Sequence, residues 1–160
     1  MRRLRAGEWL AAAGGLGLIA SLLLLEWYRP TTGEQALDGL TGFESFSVLD
    51  LYLVLVAASG LALAVLQATQ RGPALPVGAG VLTVVLAGVG VLLLAYRIAN
   101  QPGPNEFVEV RAGAWIGLAG AVAVLAGGWL SIRDERVPGE GPPEDVEVRS
   151  APRLTPDAEP

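Results

Sequence analysis

Charged residues divide this chain into four long uncharged runs, Trp9 to Leu25, Leu51 to Gln70, Gly72 to Tyr96 and Ala112 to Ile132, of 17, 20, 25 and 21 residues. A helix rises about 1.5 Å per residue, so about 20 apolar residues cross a hydrocarbon layer roughly 30 Å thick. A helix in a water-soluble bundle must turn one face to solvent and therefore carries a polar stripe. None of the four runs has one. The pattern predicts an all-α membrane protein, with four transmembrane helices at about 8–28, 48–70, 74–97 and 112–132 in an up-down bundle.

The aromatic residues mark the same boundaries, because Trp and Tyr favour the headgroup level, where one part of the ring meets water and the other meets lipid. Trp9 and Trp129 fall at one predicted face, and Trp27 and Trp115 at the other, so all four are expected to be interfacial anchors. Tyr28, Tyr52 and Tyr96 belong with the second pair. Arginine sets the orientation, since positive charge resists translocation. With the N-terminus inside, Arg2, Arg3, Arg5, Arg71, Arg133, Arg136, Arg149 and Arg153 are cytoplasmic, and only Arg29, Arg97 and Arg111 are external. Both termini are thus expected on the cytoplasmic side. The first run is read as an uncleaved anchor, because Glu26-Trp27-Tyr28-Arg29-Pro30 follows it where a cleavable signal has small residues.

Two external loops, 29–47 and 97–111, contain Phe43, Phe46 and Phe107, which are expected to rest on the interface or on each other. Phe107-Val108-Glu109-Val110 alternates like a short strand and suggests a small outer hairpin. Residues 1–132 form the predicted membrane domain. From 133 to 160 the composition changes: that segment holds six of the eleven prolines and half of the acidic side chains. It cannot bury enough apolar surface to offset its ordering entropy, so a disordered, acidic, Pro-rich cytoplasmic tail is expected.

Composition removes several kinds of chemistry. There is no Cys and no His, which excludes disulfides, thiolates and the commonest proton shuttle and leaves no metal site to assign. A net charge of −5 argues against a nucleic-acid partner, which would need a basic surface. All eleven basic residues are arginine, and with the Ala, Gly, Val and Leu bias this suggests GC-rich coding and a bacterial source.

Ionisable groups are costly within a bilayer and mark function when they occur there. Here the deepest polar side chains are only Ser21, Ser59 and Thr83, whose hydroxyls can bond to the preceding turn or to a neighbouring helix. No coupling site for an ion or proton is visible, and no nucleophile and base lie at workable depth, so the expectation is a protein that is not an enzyme and has no cofactor. At the predicted outer boundary Glu26, Asp50 and Arg97 stand at the ends of three helices and form a candidate ion cluster, either a pin for helix ends or a headgroup pocket. Small residues give a packing signal, because helices in lipid associate by close backbone approach. Gly113, Gly117 and Ala121 make a stripe on span four, and Ala13/Gly17, Gly60/Ala64 and Thr83/Ala87 are four-residue pairs on the others. The span-four stripe predicts packing within the bundle or between subunits.

With Leu25-Glu26-Trp27-Tyr28 closing span one, Asp50 opening span two, Tyr96-Arg97 closing span three, and Gly113-Ala114-Trp115 with Gly127-Gly128-Trp129-Leu130 in span four, the chain resembles small four-span membrane proteins of actinobacterial type. Glu26 replaces the proline expected in such a segment, and the acidic tail is a departure. The resemblance implies a fold and a membrane, with no activity attached. A claudin-like reading fits less well, because the first outer loop lacks the Cys pair and the Gly-Leu-Trp signature. The functional expectation is a small accessory or scaffold component of the bacterial cytoplasmic membrane, in contact with lipids, with other membrane proteins or with further copies of itself. The alternative is a binder or carrier of a small apolar or lipid-like molecule at the outer leaflet.

Overall fold

The structure is a computed structural model and describes residues 5–31, 39–45, 48–69, 74–101 and 107–135. Four helices carry the fold: α1 (Ala6–Leu24), α3 (Leu49–Thr69), α4 (Ala74–Ala99) and α5 (Ala112–Glu135), with a one-turn α2 (Gly42–Ser45) between α1 and α3. Each of the four contains a stretch long and apolar enough to cross a membrane, so the chain is a multi-pass membrane protein. Arg2, Arg3, Arg71, Phe46 and residues 136–160 of the expected tail lie outside the described residues.

The surface agrees with a hydrocarbon surround. Leu24, Leu51, Leu82, Val85 and Leu92 all face outward, Leu24 being 77% and Leu92 71% exposed. In water, apolar exposure on this scale would drive association, whereas in lipid it has no such cost.

The first span differs from the 8–28 expected. α1 stops at Leu24, Leu25 is already extended (φ −112°, ψ 145°), and its N–H reaches Ser21 O at 3.3 Å. Glu26–Pro30 forms strand β1. Trp and Tyr favour a strand, and Pro30 disfavours helical geometry at Arg29. Pairing supplies the backbone partners that the helix would have given. β2 (Leu40–Thr41) and β3 (Val108–Val110) flank β1 in the order β2-β1-β3, both antiparallel to it. The expected strand at 108–110 therefore exists, but it joins a three-stranded sheet through Tyr28↔Val110 and Pro30↔Val108, not a hairpin of its own loop. At the other extreme α5 continues to Glu135, three residues beyond the expected end of its span.

α1 packs on α5 and α3, and α4 packs on the same two. The α1–α5 contact is the tightest, and glycines at seven-residue spacing explain it. A Cβ on Gly7 would lie 2.9 Å from Gly127 O, one on Gly14 2.7 Å from Gly120 O, and one on Gly127 2.4 Å from Ala11 N. Only glycine lets the backbones approach so closely. Against α3, Gly15 meets Ala57 O at 2.6 Å and Gly60 meets Ala11 O at 2.7 Å by the same measure. Leu18, Leu22, Leu53, Val56, Leu94 and Val124 fill the remaining core.

Candidate functional site

The sheet covers one end of the bundle, the capped end. The basal end is the one where α1 begins and α5 finishes, since Gly7 sits against Ser131. Successive side chains of a strand point to opposite sides, and at the start of β1 this sends two large rings into the protein. Trp27 enters a slot between α1 and α5, and its indole N–H donates to Ser21 O at 2.8 Å. The slot exists because Gly113 and Gly117 present no side chain: a Cβ there would lie 2.6 Å from Trp27 Cδ1 and 2.4 Å from Cζ2, respectively. Tyr28 goes the other way, and its hydroxyl donates to the Arg97 carbonyl at 3.1 Å. Burial pushes the Tyr28 phenol up to about 12, with the Arg97 guanidinium acting in the opposite direction.

Two sequence expectations change here. Trp27 is not an interfacial anchor, because it is fully buried, whereas Trp9, Trp115 and Trp129 are each more than half exposed. It is buried because the helix ends before it, so the strand and not the helix sets its direction. Gly113, Gly117 and the fully buried Ala121 do form a packing stripe, but it faces this chain's own Trp27, Ser21 and core. It is therefore not available as a contact between subunits. On α1 the assignment reverses: Ala13 is exposed, a Cβ on Gly17 would meet nothing within 4 Å, and Gly7, Gly14 and Gly15 do the packing. Phe43 and Phe107 stay roughly half exposed.

Glu26, Asp50 and Arg97 do not combine into one ion cluster. Glu26 takes Arg29, three residues along its own strand, and Arg111 pairs with Glu109 at 2.9 Å. Arg97 serves Tyr28 through its carbonyl and its field. Asp50 is buried in the first turn of α3, 4% exposed, and its Oδ1 has no hydrogen-bond partner. Their places in the fold separate them: Asp50 opens the inward stripe that continues through Leu53, Ala57, Gly60 and Gln67, whereas Glu26 opens β1, the central strand of the sheet, with its side chain beside Gly39.

Beside the sheet, Glu44 accepts from both the Thr41 N–H and the Thr41 hydroxyl at 2.9 Å, which fixes the start of α2 and holds its carboxyl below the usual range. The Thr-x-x-Glu spacing is a capping-box signature, a signal the sequence carries openly.

Deeper in the bundle the polar groups join helices. The Thr83 hydroxyl donates to Ser59 O at 3.3 Å, the Tyr52 hydroxyl to Leu86 O at 2.9 Å, and the Gln67 amide to Ser131 Oγ at 3.3 Å. Ser21 and Ser59 bond back to Leu18 O and Val56 O in their own helices. Glu8 is buried at the basal end, where its carboxylate accepts from the Arg5 N–H. Gln67, Ser131 and Glu8 were missed in the sequence because each lies within a turn or so of a span end, where polar residues are unremarkable.

Comparison with known proteins adds no relative: no family model, no curated protein and no solved structure matches the chain. The resemblance to small four-span proteins rests on the residues alone.

Proposed function

We propose that the protein is a non-enzymatic accessory or scaffold component of the bacterial cytoplasmic membrane, with both termini inside, and that it works by lateral contact with another membrane protein. One observation supports this reading above others. Gly60 and Ala64 of α3, Gly113, Gly117 and Ala121 of α5, and Gly7, Gly14 and Gly15 of α1 are used within the chain, but Ala13, Gly17 and Ala20 form a shallow stripe on α1 that faces away from it. Large side chains, Trp9 and Leu24, bound the stripe at either end. Close helix approach in lipid favours such a surface. The polar groups deep in the bundle are already engaged in helix contacts, which fits a structural role better than a chemical one.

Cysteine placed at Ala13 or Ala20 and crosslinked in native membranes tests this directly. A stoichiometric protein adduct that disappears in Gly17→Leu is expected. Adducts with lipid alone, or a protein adduct unaffected by Gly17→Leu, would refute it.

A second reading, a binder of a small lipid-like molecule at the capped end, is favoured by the unpartnered Asp50 Oδ1. A buried carboxylate oxygen without a donor is unstable unless something satisfies it. Lipid that co-purifies with the wild type and is lost in Asp50→Asn would support this second reading over the first.

A further inference from the structure

In the basal half of the bundle, Val84 of α4 and one face of α5 border a groove of about 440 Å³, lined by Val84, Val122, Leu125, Ala126 and Trp129. Its wall is wholly apolar. Ala126 is short, and Gly88 beside Leu125 adds no side chain, while the exposed Trp129 closes the basal side. One turn further along α5 stands Arg133, exposed and without an ion-pair partner among the described residues. The spacing 122, 125/126, 129, 133 puts these side chains one above another on a single helix face. From Val122 to Arg133 the helix rises about 16 Å, close to half of a hydrocarbon layer roughly 30 Å thick. The stripe therefore runs through one leaflet, from apolar wall to interfacial indole to cation.

We propose that this groove seats an anionic glycerophospholipid of the adjacent leaflet, with an acyl chain along Val84, Leu125 and Ala126, the glycerol level at Trp129 and the phosphate on the Arg133 guanidinium. The occupant is a lipid and not a helix, because an approaching helix needs small residues at the contact and here meets Leu125 and the Trp129 ring. Charge complementarity selects the headgroup: the carboxyl end of α5 disfavours an anion by its dipole, so recognition falls on Arg133, whose planar fork suits phosphate oxygens. The groove is independent of the α1 stripe, which belongs to a different helix.

The test uses the purified full-length protein in detergent, titrated with phosphatidylglycerol or with phosphatidylcholine of the same acyl chains, and read by native mass spectrometry. One lipid should bind ahead of the general annulus, with a preference for phosphatidylglycerol of about fivefold, the effect of one basic side chain near an anionic lipid. In Arg133→Gln the preference should fall to about one, and Arg133→Lys should restore part of it. Ala126→Phe, which fills the groove, should remove the early-binding site for both lipids. Equal binding of the two lipids by the wild type, or an undiminished preference in Arg133→Gln, would overturn the proposal. Crosslinking from a cysteine at 126 to a second copy or to another protein in place of lipid would also overturn it.

Discussion

Replacing Gly117 with alanine puts one methyl group where the Trp27 ring already is. The new Cβ would lie 2.4 Å from Cζ2 and 2.6 Å from Cη2. Carbon atoms rest at about 3.5–4.0 Å, so ring and helix must separate by more than about 1 Å. The ring has little room to move, since its other edge lies against Gly113 and Gly42 and its N–H is held by Ser21 O. Overpacking of this kind costs about 1–3 kcal/mol, offset by up to about 1 kcal/mol from the better helix propensity of alanine. Gly17→Ala gains the same propensity and meets nothing within 4 Å, so it isolates that part. Trp27→Ala alone should cost about 3–5 kcal/mol through the emptied slot. In that background Gly117→Ala no longer clashes, so the two substitutions should couple by about 1–3 kcal/mol. Unfolding in mixed micelles with rising dodecyl sulfate, followed by helical circular dichroism, measures the wild type, the three single variants and the double variant. If Gly117→Ala costs as much in the Trp27→Ala background as it does with Trp27 in place, or if Gly17→Ala costs as much as Gly117→Ala, Trp27 is not held by this slot.

Gly14→Val places a side chain 2.7 Å from Gly120 O and should destabilise by at least about 1–3 kcal/mol in the same assay, while Gly78→Val, on an open face, should be close to neutral. The Tyr28 phenol, raised from 10.0 to about 12, stabilises the fold fully below pH 10 and loses that contribution as pH climbs toward about 12. An alkaline absorbance titration should show a tyrosine ionising toward about 12, and Tyr28→Phe should remove that last component. Glu44 has a depressed carboxyl, so the Thr41–Glu44 cap is present above pH 4.5 and weakens as pH falls below it; acid should speed amide exchange at Thr41, and Glu44→Gln should remove that pH dependence. Asp50→Asn removes a buried carboxylate with an unpartnered oxygen and should raise stability by about 1 kcal/mol or more, whereas a loss of stability would mean that the carboxylate has a partner in the membrane.

The capped end was only partly readable in the chain. Tyr96-Arg97 and Asp50 were recognised as boundary residues, but boundary position does not say which way a side chain points. Trp27 looked like an anchor because it follows an apolar run, yet the same residue becomes core once the backbone turns extended two residues earlier. Gly113 and Gly117 were legible as a packing stripe, because small residues four apart have only a few uses in lipid. That their neighbour is an indole from the same chain is a long-range fact that no local pattern contains. Ala13 and Gly17 show the opposite error: a four-residue pair was visible, but the seven-residue spacing of Gly7 and Gly14, matched by Gly120 and Gly127, is what the α1–α5 contact uses.

The amino-acid sequence alone determined the number of helices, their approximate limits and their membrane setting, because these depend on hydrocarbon thickness and on the cost of placing charge within it. The tertiary structure decided which small residues face inward, where the strands join and what becomes of Glu26, Asp50 and Arg97. In lipid every face of an apolar helix is equally acceptable to the surroundings, so composition cannot fix rotation. Only the close fit of one helix backbone against another does.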